Sequence, residues 1–192
     1  MGLPSGTLWA TMNVGAFAPH DFGNYFSWGE VTTKAIFQWD TYKWYDDTDA
    51  FLTKYCSDAS YGAVDNKTEL DAEDDAACYY WGPSWRMPTK EQFNELLDNC
   101  TLESISNHGV NGIWITGPNG NKIFLPCAGY RNDGSYIGAG DAGVYWSRTL
   151  PLSNRPDLAA SLQIMKLFGN MQCTNDYRCY GGTIRPVRVQ QQ

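Results

Sequence analysis

Charge is scarce in this chain, and basic charge scarcest. Charged residues make up 18% of its 192 residues, against a usual share of roughly 25%. Lysine and arginine number 14 against 21 acids, so the net charge is −7. That balance disfavours nucleic acid or an anionic membrane surface as the partner. No apolar run approaches the roughly 20 residues that a membrane-spanning helix needs, and Met1 leads directly into a Gly-Leu-Pro-Ser-Gly turn with no signal peptide in view. Only two histidines occur, His20 and His108, and the six cysteines form no Cys-x-x-Cys pair. A structural zinc site therefore lacks its ligand set. The cysteines are read as disulfides or as buried thiols. Phosphate-cradling Gly-x-x-x-x-Gly-Lys and Gly-x-Gly-x-x-Gly motifs are missing too, as is any internal repeat.

What is present is apolar and aromatic. Hydrophobic residues reach 43% and aromatic ones 15%, enough for one domain, 1–192, with a sizeable core. The best-specified element follows Trp81-Gly82-Pro83-Ser84-Trp85-Arg86-Met87-Pro88-Thr89. Thr89 and Gln92 form a Thr-x-x-Gln capping box, and Phe93, Leu96 and Leu97 repeat at i, i+3 and i+4. The spacing predicts a helix over 89–99, with Met87 and Phe93 as a staple across its cap. Trp81, Trp85, Phe93, Leu96, Trp146 and Ile184 are expected to be buried. Upstream, Glu69, Asp71, Glu73, Asp74 and Asp75 precede Ala76-Ala77-Cys78. They suit the first turn of a helix over 71–80, and they fail the EF-hand spacing. Calcium is possible on scattered loops and cannot be located; no other cofactor is expected.

Strands are expected at 7–10, 24–28, 144–147, 161–165 and 183–188. A hairpin is expected from 113–116 and 122–125 around Gly117-Pro118-Asn119-Gly120. Arg185 and Arg188 are placed to close the last strand on the N-terminal segment. Residues 31–66 hold an aromatic-rich run, Phe37 to Tyr45, with no clean period.

The Trp-x-x-Arg-Met-Pro-Thr block and its helix resemble the central signature of modules related to formylglycine-generating enzyme. The resemblance extends to Leu3–Ala10, Tyr25–Glu30, Leu125–Arg131, Gly143–Ser147 and Gly182–Arg188, in the family's order. It implies a C-type lectin-like fold of α+β class, with two helices, small antiparallel sheets and much loop. That fold hosts enzymes, adhesins and variable receptors alike. Related modules carry a few strand residues before the Leu-Pro-Ser-Gly block, so the start of this chain resembles a truncation of a larger exported protein. Placement at a cell surface, outside the cell or on a phage virion is implied.

The enzymatic expectation rests on Cys173 and Cys179, similar in place to the copper-binding catalytic pair of the oxidases, although their separation differs. A subunit of an appendage or virion is a further alternative. The segment from Arg148 to Gly182 resembles the variable region of proteins diversified by retroelements, in which adenine-directed mutation acts on Asn codons. Such mutation cannot produce Gln163, Met165, Lys166, Met171 or Gln172, so these count as scaffold; an ordinary loop is the other reading. Either way, bulky groups stand among adaptable ones, the composition of a binding surface. The expected function is a non-catalytic binding module for a protein or glycan on another cell or virus. Its expected ligand-binding residues are Arg148, Leu150, Leu152, Asn154, Arg155, Asp157, Ala160, Thr174, Asn175, Asp176, Tyr177, Cys179 and Tyr180. They belong to segments 148–160 and 174–182, predicted to be loops on one face. Its oligomeric state is left open.

Overall fold

The computed structural model describes residues 1–49, 51–151, 154–165 and 169–189. Strand β1 (Thr7–Trp9) leads through long turns to β2 (Tyr45–Asp46), β3 (Phe51–Cys56) and β4 (Gly62–Val64). These three form one sheet, with β3 and β4 parallel. Helices α1 (Ala76–Trp81) and α2 (Lys90–Asn99) follow. Strands β5 (Thr101–Asn107), β6 (Val110–Thr116) and β7 (Lys122–Pro126) make an antiparallel meander, and β8 (Tyr130–Asn132) and β9 (Ser135–Ile137) a small hairpin. Strands β10 (Ala142–Trp146), β11 (Leu158–Met165) and β12 (Asn170–Tyr177) build a second antiparallel sheet. Finally β13 (Val187–Val189) returns to pair with β1. The expected closure of the C-terminal strand on the N-terminal segment is thus observed.

The expected α+β class is not. Strand accounts for 40% and helix for 12%, and the protein is predominantly β. Part of the difference lies in the acidic run, where the predicted helix over 71–80 is broken. A single 3-10 turn at 72–74 is followed by Asp75 in extended geometry, and α1 starts only at Ala76. Asp75 is held there because its carboxylate accepts from the N–H groups of both Cys78 and Met87. Gly82, at φ 89°, then ends α1 after six residues. The other part is β2, β3 and β4, which lie in the stretch without a clean period, and β5, β8, β9 and β12, whose many polar residues mask their strand pattern.

The cap of α2 and its buried stripe are as expected. Thr89 and Gln92 satisfy each other's backbone as a capping box, and Phe93 and Leu96 are buried. They join Trp9, Ile113, Ile115, Ile123, Leu125, Tyr145, Leu162 and Ile164 in the main core, between the two larger sheets. Met87 belongs instead to a second core with Phe26, Trp28, Trp146 and Ile184, so the expected staple to Phe93 is not formed. Two indoles latch that core: Trp28 donates to the Ser147 carbonyl and Trp146 to the Phe26 carbonyl, each at 2.8 Å. Gly182 passes so close to the Trp146 indole that a Cβ there would lie 2.8 Å from its nitrogen. Trp81 and Trp85 are only half-buried, packed edge-on with centroids 5.0 Å apart, because α1 is too short to cover them. Residues 24–28 make a single bridge rather than a strand. The strand expected at 183–188 is regular only from Val187, since Pro186 has no N–H to continue the ladder. No disulfide joins any of the six cysteines, all of which lie among the described residues.

Candidate functional site

The segment 174–182 is a loop only beyond Tyr177. Residues 170–177 form β12, paired along its full length with β11, so that Tyr177 stands opposite Leu158 and Asn175 opposite Ala160. This pairing brings the two predicted segments together. Alternation along the strand then sorts their residues. Met171 and Cys173 lie against the main core, and Asn175 and Tyr177 continue the same side beyond it, less enclosed. Thr174 and Asp176 fall on the other side and are half-buried. The Asp176 carboxylate accepts from the Ser161 hydroxyl and the Gln163 amide. Burial pushes its pKa up, against the pull of those two donors.

Not every predicted contact residue reaches the surface. Leu150, Ala160 and Cys179 are buried. Leu150 fills the second core, Ala160 sits in the middle strand of its sheet, and Cys179 packs with Tyr42, Leu52 and Cys56. Leu152 lies outside the described residues. Arg148 is half-buried, its Nε 3.1 Å from a Glu69 carboxylate oxygen. Asn154, Arg155, Asp157, Asn175, Tyr177 and Tyr180 remain available at the surface to differing degrees.

Two recesses flank this surface. One, of about 500 Å³, lies between Glu69, Lys90, Glu91, Thr149, Leu150 and Asn175. The other, of about 310 Å³, is lined by Trp39, Tyr45, Leu52, Ser60, Tyr61 and Asp157. Sequence reasoning assigns none of the aromatic walls to the site. Their signal is the density of rings between Phe37 and Tyr45 without any amphipathic period, which leaves half-exposed rings with no helix or strand face to bury. In the folded chain these rings run on into the C-terminal segment. Tyr45 packs on Trp39 at 5.1 Å between centroids, Trp39 on Tyr177 at 6.3 Å, Tyr177 on Tyr180 at 5.4 Å and Tyr180 on Tyr130 at 5.6 Å.

One buried side chain fastens the aromatic arm to this surface. Arg178 is fully buried, and neutral oxygens surround its charge. Its guanidinium donates to the Tyr42 hydroxyl (2.9 Å) and to the carbonyls of Tyr55 (3.0 Å), Pro156 (2.9 Å) and Lys54 (3.1 Å). It also stacks 4.9 Å from the Trp28 ring. Tyr55, held at φ 60°, is the residue it grips, a conformation that is strained for an aromatic side chain.

Other chemistry is thinly supplied. Cys173 and Cys179 do not share a site: one borders the main core and the other the small cluster beneath the aromatic arm. Burial pushes their thiols up to about 11 and about 12, away from the thiolate that metal or redox chemistry uses. His20 and His108 stack on each other at 4.7 Å, joining the 16–23 loop to the β5–β6 turn. Asp71, Glu73 and Asp74 come close enough to share an ion, but the Lys54 ammonium stands among them. It lies 2.7 Å from Asp71, 3.7 Å from Glu73 and 2.6 Å from Asp74, with Lys43 a further 3.1 Å from Asp74. A calcium ion does not fit a cluster already filled by an ammonium group. Among the described residues, no helix is long and apolar enough to cross a membrane. No family model matches the chain, and neither a curated protein nor a solved structure matches it.

Proposed function

We propose that this chain is a non-catalytic ligand-binding module of receptor or adhesin type. It recognises a partner on another cell or virus through the surface formed by 154–157 and 174–180. The observation that carries the reading is the β11–β12 pairing. It sets Asn175 and Tyr177 on the edge strand β12, and brings beside them the turn before β11, where Arg155 is forked onto Asp157. A rigid scaffold that presents exposed aromatic and adaptable polar groups is the arrangement binding surfaces use. The separated, protonated thiols of Cys173 and Cys179 support a non-catalytic reading over a copper-dependent oxidase. The sequence blocks shared with formylglycine-generating-enzyme-related modules support a place at the cell surface, outside the cell or on a virion. The composition of 148–182 supports diversification of that surface by a retroelement.

The test is binding of fluorescently labelled protein to a panel of bacterial cells and virions, followed by flow cytometry. A Tyr177→Ala, Arg155→Ala double variant should keep wild-type stability within about 1 kcal/mol, as surface substitutions do. It should lose roughly tenfold or more in affinity for whatever target the wild type selects. Binding that survives both substitutions would place the contact elsewhere. Stoichiometric copper held by Cys173 and Cys179 would revive the oxidase.

A further inference from the structure

The 310 Å³ recess has walls of two chemical kinds. Trp39, Tyr45 and Tyr61 line it with aromatic rings and Leu52 with an aliphatic side chain. Ser60 and Asp157 add polar groups to the lining. Asp157 does not carry a loose charge, because Arg155 grips it as a two-point fork. Arg155 Nε lies 2.8 Å from one carboxylate oxygen and a terminal nitrogen 2.7 Å from the other. The same guanidinium lies 6.0 Å from the Tyr177 ring centre, so the fork and the exposed tyrosine form one rim.

These features select an occupant. An anion meets Asp46, Asp47, Asp49 and Asp58, all carried on the strands and turns that supply Tyr45, Ser60 and Tyr61. A cation meets the Arg155 guanidinium at the rim and finds the Asp157 carboxylate already engaged. A purely apolar group would strip water from the lone pairs that the Arg155 fork leaves over on Asp157 and from the oxygen of Ser60, whose hydroxyl proton goes to Asp58, without returning hydrogen bonds, which costs free energy. What remains is a neutral group with one apolar face and several hydroxyls. The volume falls at the lower end of small-ligand sites. We propose that this recess seats one neutral saccharide ring of a surface glycan. Its C–H face lies on the aromatic wall, and its hydroxyls bridge Asp157, Arg155 and Ser60. The inference rests on the binding-module reading and names the ligand class for that surface.

The probes are methyl glycosides of neutral hexoses, N-acetylhexosamines and fucose, with sialylated and sulfated glycans as the charged set. The chain has eight tryptophans, so two-dimensional NMR of the indole N–H groups reads them separately, with Trp39→Phe giving the assignment. At least one neutral glycoside should shift the Trp39 resonance saturably, with a Kd of about 1 mM or tighter. Asp157→Asn should weaken that binding at least about tenfold. This variant is chosen because the Asp157 side chain is held by the neighbouring Arg155 fork rather than by the core, and an unchanged melting curve would separate lost contact from lost fold. Three results overturn the proposal: no neutral glycoside perturbs Trp39, only charged glycans do, or Asp157→Asn binds as well as the wild type. If cells are bound through Tyr177 and neutral glycosides do not compete, the saccharide inference falls and the binding-module reading stands. A protein ligand, sensitive to protease treatment of the target cells, is then the occupant.

Discussion

Replacing Arg178 with methionine tests the architecture beneath the proposed surface more directly than any exposed substitution. The guanidinium makes four hydrogen bonds from a fully buried position. Methionine keeps much of the volume and the contact with Trp28 but donates nothing. Three backbone carbonyls and one hydroxyl then lose a charged donor, at about 1–3 kcal/mol for each group left without a partner. Two effects oppose that loss. Burying a guanidinium carries a desolvation penalty of several kcal/mol, which methionine does not. Tyr55 can also leave its left-handed conformation, releasing about 1–3 kcal/mol of strain. With about 2 kcal/mol for each of the four neutral acceptors, the losses reach about 8 kcal/mol and exceed the gains by about 3 kcal/mol. For a chain of this size each 1 kcal/mol lowers Tm by about 2–4 °C, so a fall of roughly 10 °C is expected. Arg178→Lys should fall between the two, because a single ammonium cannot serve four acceptors in a plane. Urea unfolding gives the free energy. Amide exchange gives the location, with lost protection expected in β3 and around Pro156 before the α2 core is affected. If Arg178→Met unfolds within about 1 kcal/mol of the wild type, Arg178 is not what holds the aromatic arm to the C-terminal turn.

Two further perturbations address pH and helix capping. Burial raises the Asp176 carboxyl, so the folded state holds this proton more tightly than the unfolded chain. Its contribution to stability is fully present below the usual carboxylate pKa and declines as pH rises through the raised folded value. Asp176→Asn should therefore gain on the wild type in urea titrations as pH rises through that window, and the two should differ least in acid. A growing disadvantage for the asparagine variant at higher pH would reverse the sign and refute the burial argument. Thr89→Ala removes the acceptor for the Gln92 N–H and should cost about 1 kcal/mol, read by thermal melts. A loss well under 0.5 kcal/mol would show that packing of Phe93 and Leu96 sets the start of α2 without the cap.

Legibility in the sequence follows the strength of local signals. The α2 cap, the hairpin around Pro118-Asn119-Gly120 and the β1–β13 closure are readable, because each is written in a few adjacent residues or in an alternating apolar pattern. Strand β12 is not. Met171 and Cys173 share a side with the exposed Asn175 and Tyr177, and Gln172, Thr174 and Asp176 take the other, so polarity hides the period of 2. Helix α1 reads as longer than it is, because Asp75 suits a first turn and a cap equally well. Only its bond to the Met87 N–H, twelve residues on, decides. In the site, Arg155 and Tyr177 are legible as exposed groups in turn-like surroundings. Arg178 is not, since nothing local distinguishes a surface arginine from one that four distant acceptors draw inward. The aromatic recess requires knowing that Trp39, Tyr45 and Tyr61 come together with Asp157 and Tyr177, a contact that no window of sequence contains.

The burial pattern also limits what diversification of this surface can be. Within one short stretch, Asn175 and Tyr177 reach solvent while Arg178 and Cys179 are enclosed. A mutator that drew freely at position 178 would most often install a group unable to reach the Tyr42, Tyr55, Pro156 and Lys54 acceptors, and the arm carrying the recess would be lost with it. The same holds at Leu150 and Ala160, where a larger or charged side chain has no room. A variable region compatible with this fold must therefore change codon by codon and spare the enclosed positions. If a near-copy of the segment lies beside the gene with a reverse transcriptase, adenine mismatches between the two copies should fall at 154, 155, 157, 175 and 177. They should be missing at 150, 160, 178 and 179. Mismatches spread evenly over both sets would mean that the enclosed side chains are dispensable. The Arg178 network would then be an incidental feature of one variant rather than the scaffold of the binding surface.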